Sequence, residues 1–292
     1  MQTSVVGCGR LGTALAAGLA DLGHDVVAVD TDETVVEALN AGEPPVQAPG
    51  LDPLLRAHAG RHLRATTDHD AVADAAVTFL AHPTGGEDGV DATSLEAGAR
   101  AVGEALADET EYHLVVVASP VLPGTTADRV VPAVETAGPR AGETVGVAVV
   151  PVLAGTGSTV EAVVEPERIV VGTDGDDRAL DALAAVYESL VVDWETPVVE
   201  TDRRTAEAAR YVDGAVRVAT RRLGTELATL CAAFGVDADR AAAAVDVDDR
   251  LGLGGASGIA ADRHRGDLAA LLAAGRREGV DAALLEAVAG ER

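Results

Sequence analysis

The stretch Thr3-Ser-Val-Val-Gly7-Cys8-Gly9-Arg10-Leu11-Gly12-Thr-Ala-Leu-Ala16 reads as a β-branched strand, a glycine turn and the opening of a helix. The next β-branched run, Asp25–Asp30, closes on an acid. A G-x-G-x-x-G turn between strand and helix, with an acid about twenty residues further on, is the fingerprint of a dinucleotide-binding unit. Gly7 permits the tight turn, Gly9 lets the backbone approach a pyrophosphate, and Gly12 lets helix and strand pack closely.

Arg10 and Leu11 stand at the start of that helix, where free N–H groups and a partial positive charge suit phosphate. Asp30 is placed to accept from the hydroxyls of an adenosine ribose. Asp32 and Glu33 follow it, so a 2′-phosphate meets only negative charge and the expected cofactor is NAD, not NADP. Cys8 occupies a variable position of the turn and reads as small filler.

Outward from the turn, short apolar strands alternate with helical patterns through about residue 200. Strands are expected at Thr3–Val6, Asp25–Asp30, Val77–Ala81, Leu114–Ser119, Val145–Val150 and Ile169–Gly172. Helical stretches fall at Leu11–Leu22, Glu33–Asn40, Ser94–Ala107 and Ala127–Ala137. This predicts an α/β fold, a Rossmann-type domain with a mostly parallel sheet over residues 1–200. After Pro197 the pattern changes. Val212, Val216, Ala219, Leu223, Leu227, Leu230 and Phe234 recur at threes and fours, which predicts one long helix, Thr201–Phe234, capped by Thr201 or Asp202 and stopped by Gly235. Such a helix runs about 50 Å, a length suited to a domain connector and a subunit interface. Shorter helices at Ala238–Val245, Asp267–Ala274 and Asp281–Val288 flank a glycine-rich loop, Gly252–Gly258, and complete an α-helical central or dimerisation domain over residues 201–292.

The 292 residues carry 48 acidic and 22 basic side chains, a net charge of −26, and the basic residues are all Arg. Such a surface repels nucleic acid and anionic membranes, so neither is an expected partner. The acids are spread along the chain, as in a salt-adapted protein whose self-repulsion is screened; an acidic ligand site is the rival reading. Two cysteines, Cys8 and Cys231, support neither a metal cluster nor a disulfide framework. The chain enters its first strand at once, and its early apolar run is broken by Asp21, His24 and Asp25. A soluble, cytoplasmic protein is therefore expected.

Beyond the first motif, the segments resemble the nucleotide-sugar dehydrogenases that oxidise UDP-glucose, UDP-N-acetylmannosamine or GDP-mannose at carbon 6. His82-Pro83-Thr84 resembles the loop in which the family's Pro-Thr lies against the cofactor. Ser119-Pro-Val-Leu-Pro-Gly124-Thr-Thr126 is similar to its Ser-Thr-Val-x-x-Gly-Thr-Thr, and Pro166-Glu-Arg-Ile-Val-Val-Gly172 to its Pro-x-Arg-Ile-Val-Ile-Gly. The run from Ala206-Glu207 through Arg210-Tyr211 to Phe234-Gly-Val-Asp237 resembles its central dimerisation helix. The resemblance covers essentially the whole chain. It implies NAD bound with help from Pro83, Thr84 and Ser119, a nucleotide-sugar as possible ligand, and a homodimer or a heterodimer with a full-length paralogue. The family usually continues past the position of Arg292 into a further domain.

In that family a Cys captures the substrate aldehyde and carries it through a thioester, while Lys, Asn, two Glu, Thr and Asp position water and stabilise the oxyanion. Carried over by resemblance, the Thr is Pro120, the first Glu is Val152, the second falls on Thr156, the Lys is Arg210 and the Asn is Gly214. The thiol position falls on Ser257 or Gly258, ahead of Asp262. The chain has no Lys, and its one Asn is Asn40. Arg210 keeps a charge but cannot release a proton. The two-step oxidation is therefore expected to be impaired. The alternative is a single hydride transfer on an alcohol, with Arg210, Ser257, Asp262 and His264 as the residues available for it; the stronger reading of His264 itself is a solvated loop histidine flanked by Arg263 and Arg265. His82 is read as shaping the nicotinamide end of the cleft.

Overall fold

β1 (Gln2–Val6) sends Val5 into one apolar core and Val6 into another, as a strand covered on both faces must. The same two-sided burial recurs in the inner strands of the sheet of this computed structural model, which describes residues 1–86, 89–153, 158–193, 195–244, 258–277, 279 and 283–290. In chain order, β1 is followed by α1 (Arg10–Asp21), β2 (Asp25–Val29), α2 (Glu33–Asn40), α3 (Leu51–His58), β3 (Leu63–Thr66), β4 (Val77–Leu80) and α4 (Thr93–Ala105). Next come β5 (His113–Val117), α5 (Val131–Val134), β6 (Val145–Val149), α6 (Glu161–Val164), β7 (Ile169–Gly172), α7 (Asp177–Val186), α8 (Glu188–Asp193) and β8 (Val198–Thr201). The last helices are α9 (Arg203–Ala233), α10 (Ala238–Ala244), α11 (Gly258–Arg277) and α12 (Ala283–Ala289).

The eight strands lie in the order β8-β7-β6-β5-β4-β1-β2-β3. β1 to β6 pair in parallel; β7 meets β6 antiparallel, and β8 runs parallel to β7. The chain moves outward from β1 through β2 to β3, then returns to build β4, β5 and β6 on the other side. The carboxyl ends of β1 and β4 thus flank a topological switch point, where open α/β sheets bind their ligands. Leu15 and Leu19 of α1, Leu51 and Leu55 of α3 and Leu183 of α7 cover one face. Leu95 and Val102 of α4 and Val134 of α5 cover the other. Each such side chain contributes about 1.5–3 kcal/mol by leaving water.

The expected α/β architecture and long helix are present, with local corrections. β3 and β8 are additional strands: four residues long, at the two edges, with β8 mostly exposed, so neither carries a strong apolar signal. Thr201 belongs to β8, and the long helix begins at Arg203. Its cap is Asp202, which accepts from the Thr205 backbone N–H at 2.8 Å and the Thr205 hydroxyl at 2.6 Å. Gly235 follows the helix at φ +69°. The expected helix Ala127–Ala137 is a wide turn over Thr126–Val130, then α5, then a tight turn over Glu135–Ala137. Pro132 has no N–H to donate and crowds the preceding turn, which breaks the ladder there. α11 is longer than Asp267–Ala274 and takes in His264, so that residue is helical and not in a loop.

The chain divides into two units, the first comprising Met1–Gly86 and Val90–Arg210, the second Tyr211–Arg292 with 87–89. In the second unit Ala215, Leu268 and Leu272 form a small core with Val218, Leu271, Leu285 and Val288. Arg222 donates to the Val288 carbonyl at 2.7 Å, and Arg276 pairs with Glu286 at 3.1 Å. Among the described residues no helix is long and apolar enough to cross a membrane.

Candidate cofactor site

The glycine turn leaves β1 with Gly7 at φ +90° and its N–H on the Val29 carbonyl at 2.9 Å. Gly9 then caps α1 from an extended conformation, and no side chain satisfies the first N–H groups of that helix. A Cβ on Gly12 would stand 1.8 Å from the Gly7 carbonyl oxygen, so only glycine lets α1 approach the turn this closely. A Cβ on Gly9 would meet nothing within 4 Å. The turn is thus tight at Gly12 and open at Gly9, beside the uncapped N–H groups of the first turn of α1. That donor set fits a pyrophosphate. Arg10 is exposed at the helix start and Leu11 is half-buried beside it.

Asp30 follows β2 at the same carboxyl edge. Its Oδ2 accepts from the Cys8 N–H at 2.6 Å and its Oδ1 from the Asp32 N–H at 3.0 Å, which fixes the carboxylate against the turn. Each oxygen keeps a second lone pair for a ribose hydroxyl. Asp32 caps α2 through Thr34, whose hydroxyl and backbone N–H hold the Asp32 carboxyl below its ordinary pKa. Cys8 is filler: burial, then the neighbouring Asp30 charge, pushes its thiol pKa strongly upward, and Sγ donates to the Val29 carbonyl at 3.6 Å.

On the far side of the switch point, β4 leads into His82-Pro83-Thr84 and β5 into Ser119-Pro120. Thr84 is buried and donates its hydroxyl to the Pro120 carbonyl. Ser119 donates its hydroxyl to the Leu80 carbonyl at 3.2 Å, and Ser94 donates to the Pro83 carbonyl at 3.0 Å. The Thr84 and Ser119 hydroxyls therefore fasten the loops to each other and to β4, so they shape the site while their own protons are engaged. The His82 ring is wedged between the turn and α4. It lies 3.2 Å from where a Gly7 Cβ would be and 2.1 Å from where a Gly98 Cβ would be. Burial lowers its pKa, and its buried Nε2 makes no hydrogen bond among the described residues. Gly7, Gly9, Arg10, Leu11, Gly12, Asp30, Pro83, Thr84 and Ser119 are thus assembled along one sheet edge.

The remaining candidates separate. Arg210, on the third turn of α9, donates Nη1 to the Val152 carbonyl at 2.7 Å; Val152, just past β6, is buried and apolar. Asp262 and His264 lie on α11 with side chains outside the described set, and Ser257 and Thr156 lie outside the described residues. No group of three or more His, Cys, Asp or Glu among the described residues is arranged to hold a metal.

Sequence reasoning missed Glu207. It is 3% exposed on α9, and its Oε1 accepts from the Thr126 N–H at 2.7 Å while Oε2 accepts from the Gly124 N–H at 2.5 Å. The signal was its place one turn before Arg210, on the helix face that meets the sheet.

Comparison with known proteins follows the same lines. The profile of the UDP-glucose/GDP-mannose dehydrogenase family, NAD binding domain, matches residues 1–191. UDP-glucose 6-dehydrogenase AglM of Haloferax volcanii is 39% identical over 294 residues, covering 98% of this chain and 68% of that protein. GDP-mannose 6-dehydrogenase of Pseudomonas syringae pv. tomato is 31% identical, over 87% of this chain and 58% of its own length. Among solved structures, a UDP-glucose dehydrogenase from the hyperthermophilic archaeon Pyrobaculum islandicum superimposes with a TM-score of 0.83 at 34% identity, covering 98% of this chain and 66% of that one. The chain thus spans roughly 58–68% of the length of these relatives.

Proposed function

This chain belongs to the UDP-glucose/GDP-mannose dehydrogenase family and contains its NAD-binding domain, and from that premise we propose that it binds NAD but is impaired in the thiol-dependent, two-step oxidation of a nucleotide-sugar. When bound, the dinucleotide supplies a hydride acceptor. The residues here hold and orient it: the α1 N-terminus takes the pyrophosphate, Asp30 the adenosine ribose, and the Thr84–Pro120 pair shapes the other half.

The observation that carries the impairment is the partnership of Arg210 with Val152. By family resemblance these two positions hold the oxyanion-stabilising cation and a water-positioning carboxylate. Here they are side by side, but one is an apolar side chain and the other spends a donor on that residue's backbone carbonyl. Neither thiol of the chain replaces the missing nucleophile: Cys8 is locked under the glycine turn, and Cys231 lies near the far end of α9. A guanidinium is suited to supply charge and hydrogen bonds, not to act as a general acid or base, so Arg210 does not take over proton transfer.

A second copy of this chain, or a longer paralogue, is proposed to pack on α9. Val212, Val216, Leu223 and Leu227 form an exposed apolar stripe at helical spacing, and Phe234 beyond it is 81% exposed. The function is tested by calorimetric titration with NAD, followed by NADH absorbance with UDP-glucose and GDP-mannose. NAD binding without NADH formation supports the proposal; stoichiometric NADH from either sugar removes it.

A further inference from the structure

α9 docks its first turns on the end of the sheet. A Cβ on Gly172 of β7 would stand 2.7 Å from Ala206 Cβ, and Ala206 is fully buried. Arg203 anchors the start through Asp174, whose carboxylate accepts from its backbone N–H at 2.7 Å and from Nε at 2.6 Å. From this fixed base Glu207 reaches the 119–126 loop. Thr125 precedes the turn Thr126–Val130 and makes no side-chain cap; the Asp128 N–H finds the Gly124 carbonyl at 3.0 Å, but the Thr126 N–H that opens the turn needs an acceptor from elsewhere. Glu207 supplies one from a residue 81 positions away, through two charge-assisted hydrogen bonds. Gly124 suits the backbone of this loop. Its φ is +99°, and a Cβ there would stand 3.1 Å from Arg204 Nη2.

The consequence follows from topology. Asp30 at the end of β2 marks the adenosine side of the site, and a dinucleotide crosses the switch point between β1 and β4. Its nicotinamide half then lies over the carboxyl ends of β4 and β5, where the loop held by Glu207 begins and where Thr84 is tied to Pro120. We propose that Glu207 is a positioning residue for the nicotinamide half of the cofactor site, capping the Thr126 turn from α9 and thereby holding the 119–126 loop beside Thr84. It touches no cofactor atom itself. The inference rests on the NAD-binding reading above.

The test is calorimetry on the full chain with two probes, NAD and ADP, for wild type, Glu207→Gln and Gly124→Ala. ADP reports the glycine turn and Asp30; NAD adds the nicotinamide half. Glu207→Gln keeps the shape but sets an amide NH2 against a backbone N–H. It is expected to weaken NAD about tenfold, the effect of one lost hydrogen bond to a charged group, with ADP affinity unchanged. Gly124→Ala disturbs the loop without altering Glu207 and is expected to give the same split. Wild-type NAD affinity in Glu207→Gln overturns the proposal, as does parallel loss of NAD and ADP binding together with a fall in Tm, which marks a merely structural residue. Failure of the wild-type protein to bind NAD overturns the cofactor reading itself, and this inference with it.

Discussion

Gly9→Ala and Gly12→Ala are both single-methyl additions to the same turn, three residues apart, and their effects are expected to be opposite in kind. At Gly9 the methyl enters space in which nothing stands within 4 Å, and the backbone there, φ −69° and ψ −164°, accommodates alanine. The fold should therefore hold, with the small stabilisation of up to about 1 kcal/mol that an alanine brings by stiffening the unfolded chain. The methyl occupies the surface on which a pyrophosphate must lie to reach the α1 N–H groups. Losing one or two charge-assisted hydrogen bonds at about 1.5–2 kcal/mol each weakens NAD by roughly ten- to a thousandfold. At Gly12 the methyl meets the Gly7 carbonyl oxygen at 1.8 Å, so helix and turn must separate. Overpacking of this kind costs about 1–3 kcal/mol, or roughly 3–10 °C in Tm for a unit of this size. Calorimetry with NAD and a thermal melt on each variant decide the matter. Undiminished NAD affinity in Gly9→Ala refutes the placement of the pyrophosphate on α1.

Other expectations follow from groups away from the turn. His113 on β5 is buried, with Nε2 2.7 Å from the Thr78 hydroxyl, which itself lies 2.7 Å from Ser4 Oγ; burial lowers its pKa to about 4. The unfolded chain binds the proton near pH 6.5, so stability is full above that value and falls between about 6.5 and 4 by about 3 kcal/mol, then levels. Denaturant midpoints across that range check this, and His113→Gln should flatten the slope. Under native conditions a thiol reagent should label Cys231, which is half-buried, and spare Cys8, whose thiol is sealed and strongly disfavours ionisation; labelling of Cys8 would contradict the turn geometry. Leu223→Asp, in the middle of the exposed stripe, should convert a dimer to monomer in sedimentation while leaving NAD affinity unchanged.

The Gly7–Gly12 turn and Asp30 were legible because their chemistry depends on backbone shape and one carboxylate at a set spacing, both visible in single residues. The central strands were legible too, since burial on both faces turns them into continuous apolar runs such as Leu114–Val117. β3 and β8 were not: a four-residue edge strand is held by its neighbour's hydrogen bonds more than by its own side chains. The break at Pro132 was readable in principle, but the apolar periodicity on either side of it masked it. Glu207 shows a different limit. An acid one turn into a long polar helix reads as solvated until the chain brings the N–H groups of Gly124 and Thr126 against it.

The central proposal is that the chain binds NAD but is impaired in the two-step oxidation of a nucleotide-sugar. Titrating NAD into the full chain in multimolar KCl, then adding UDP-glucose while following NADH absorbance, tests both halves in one experiment. A saturable NAD isotherm with no NADH is the result expected. Two NADH per UDP-glucose, or no NAD isotherm at all, would contradict it.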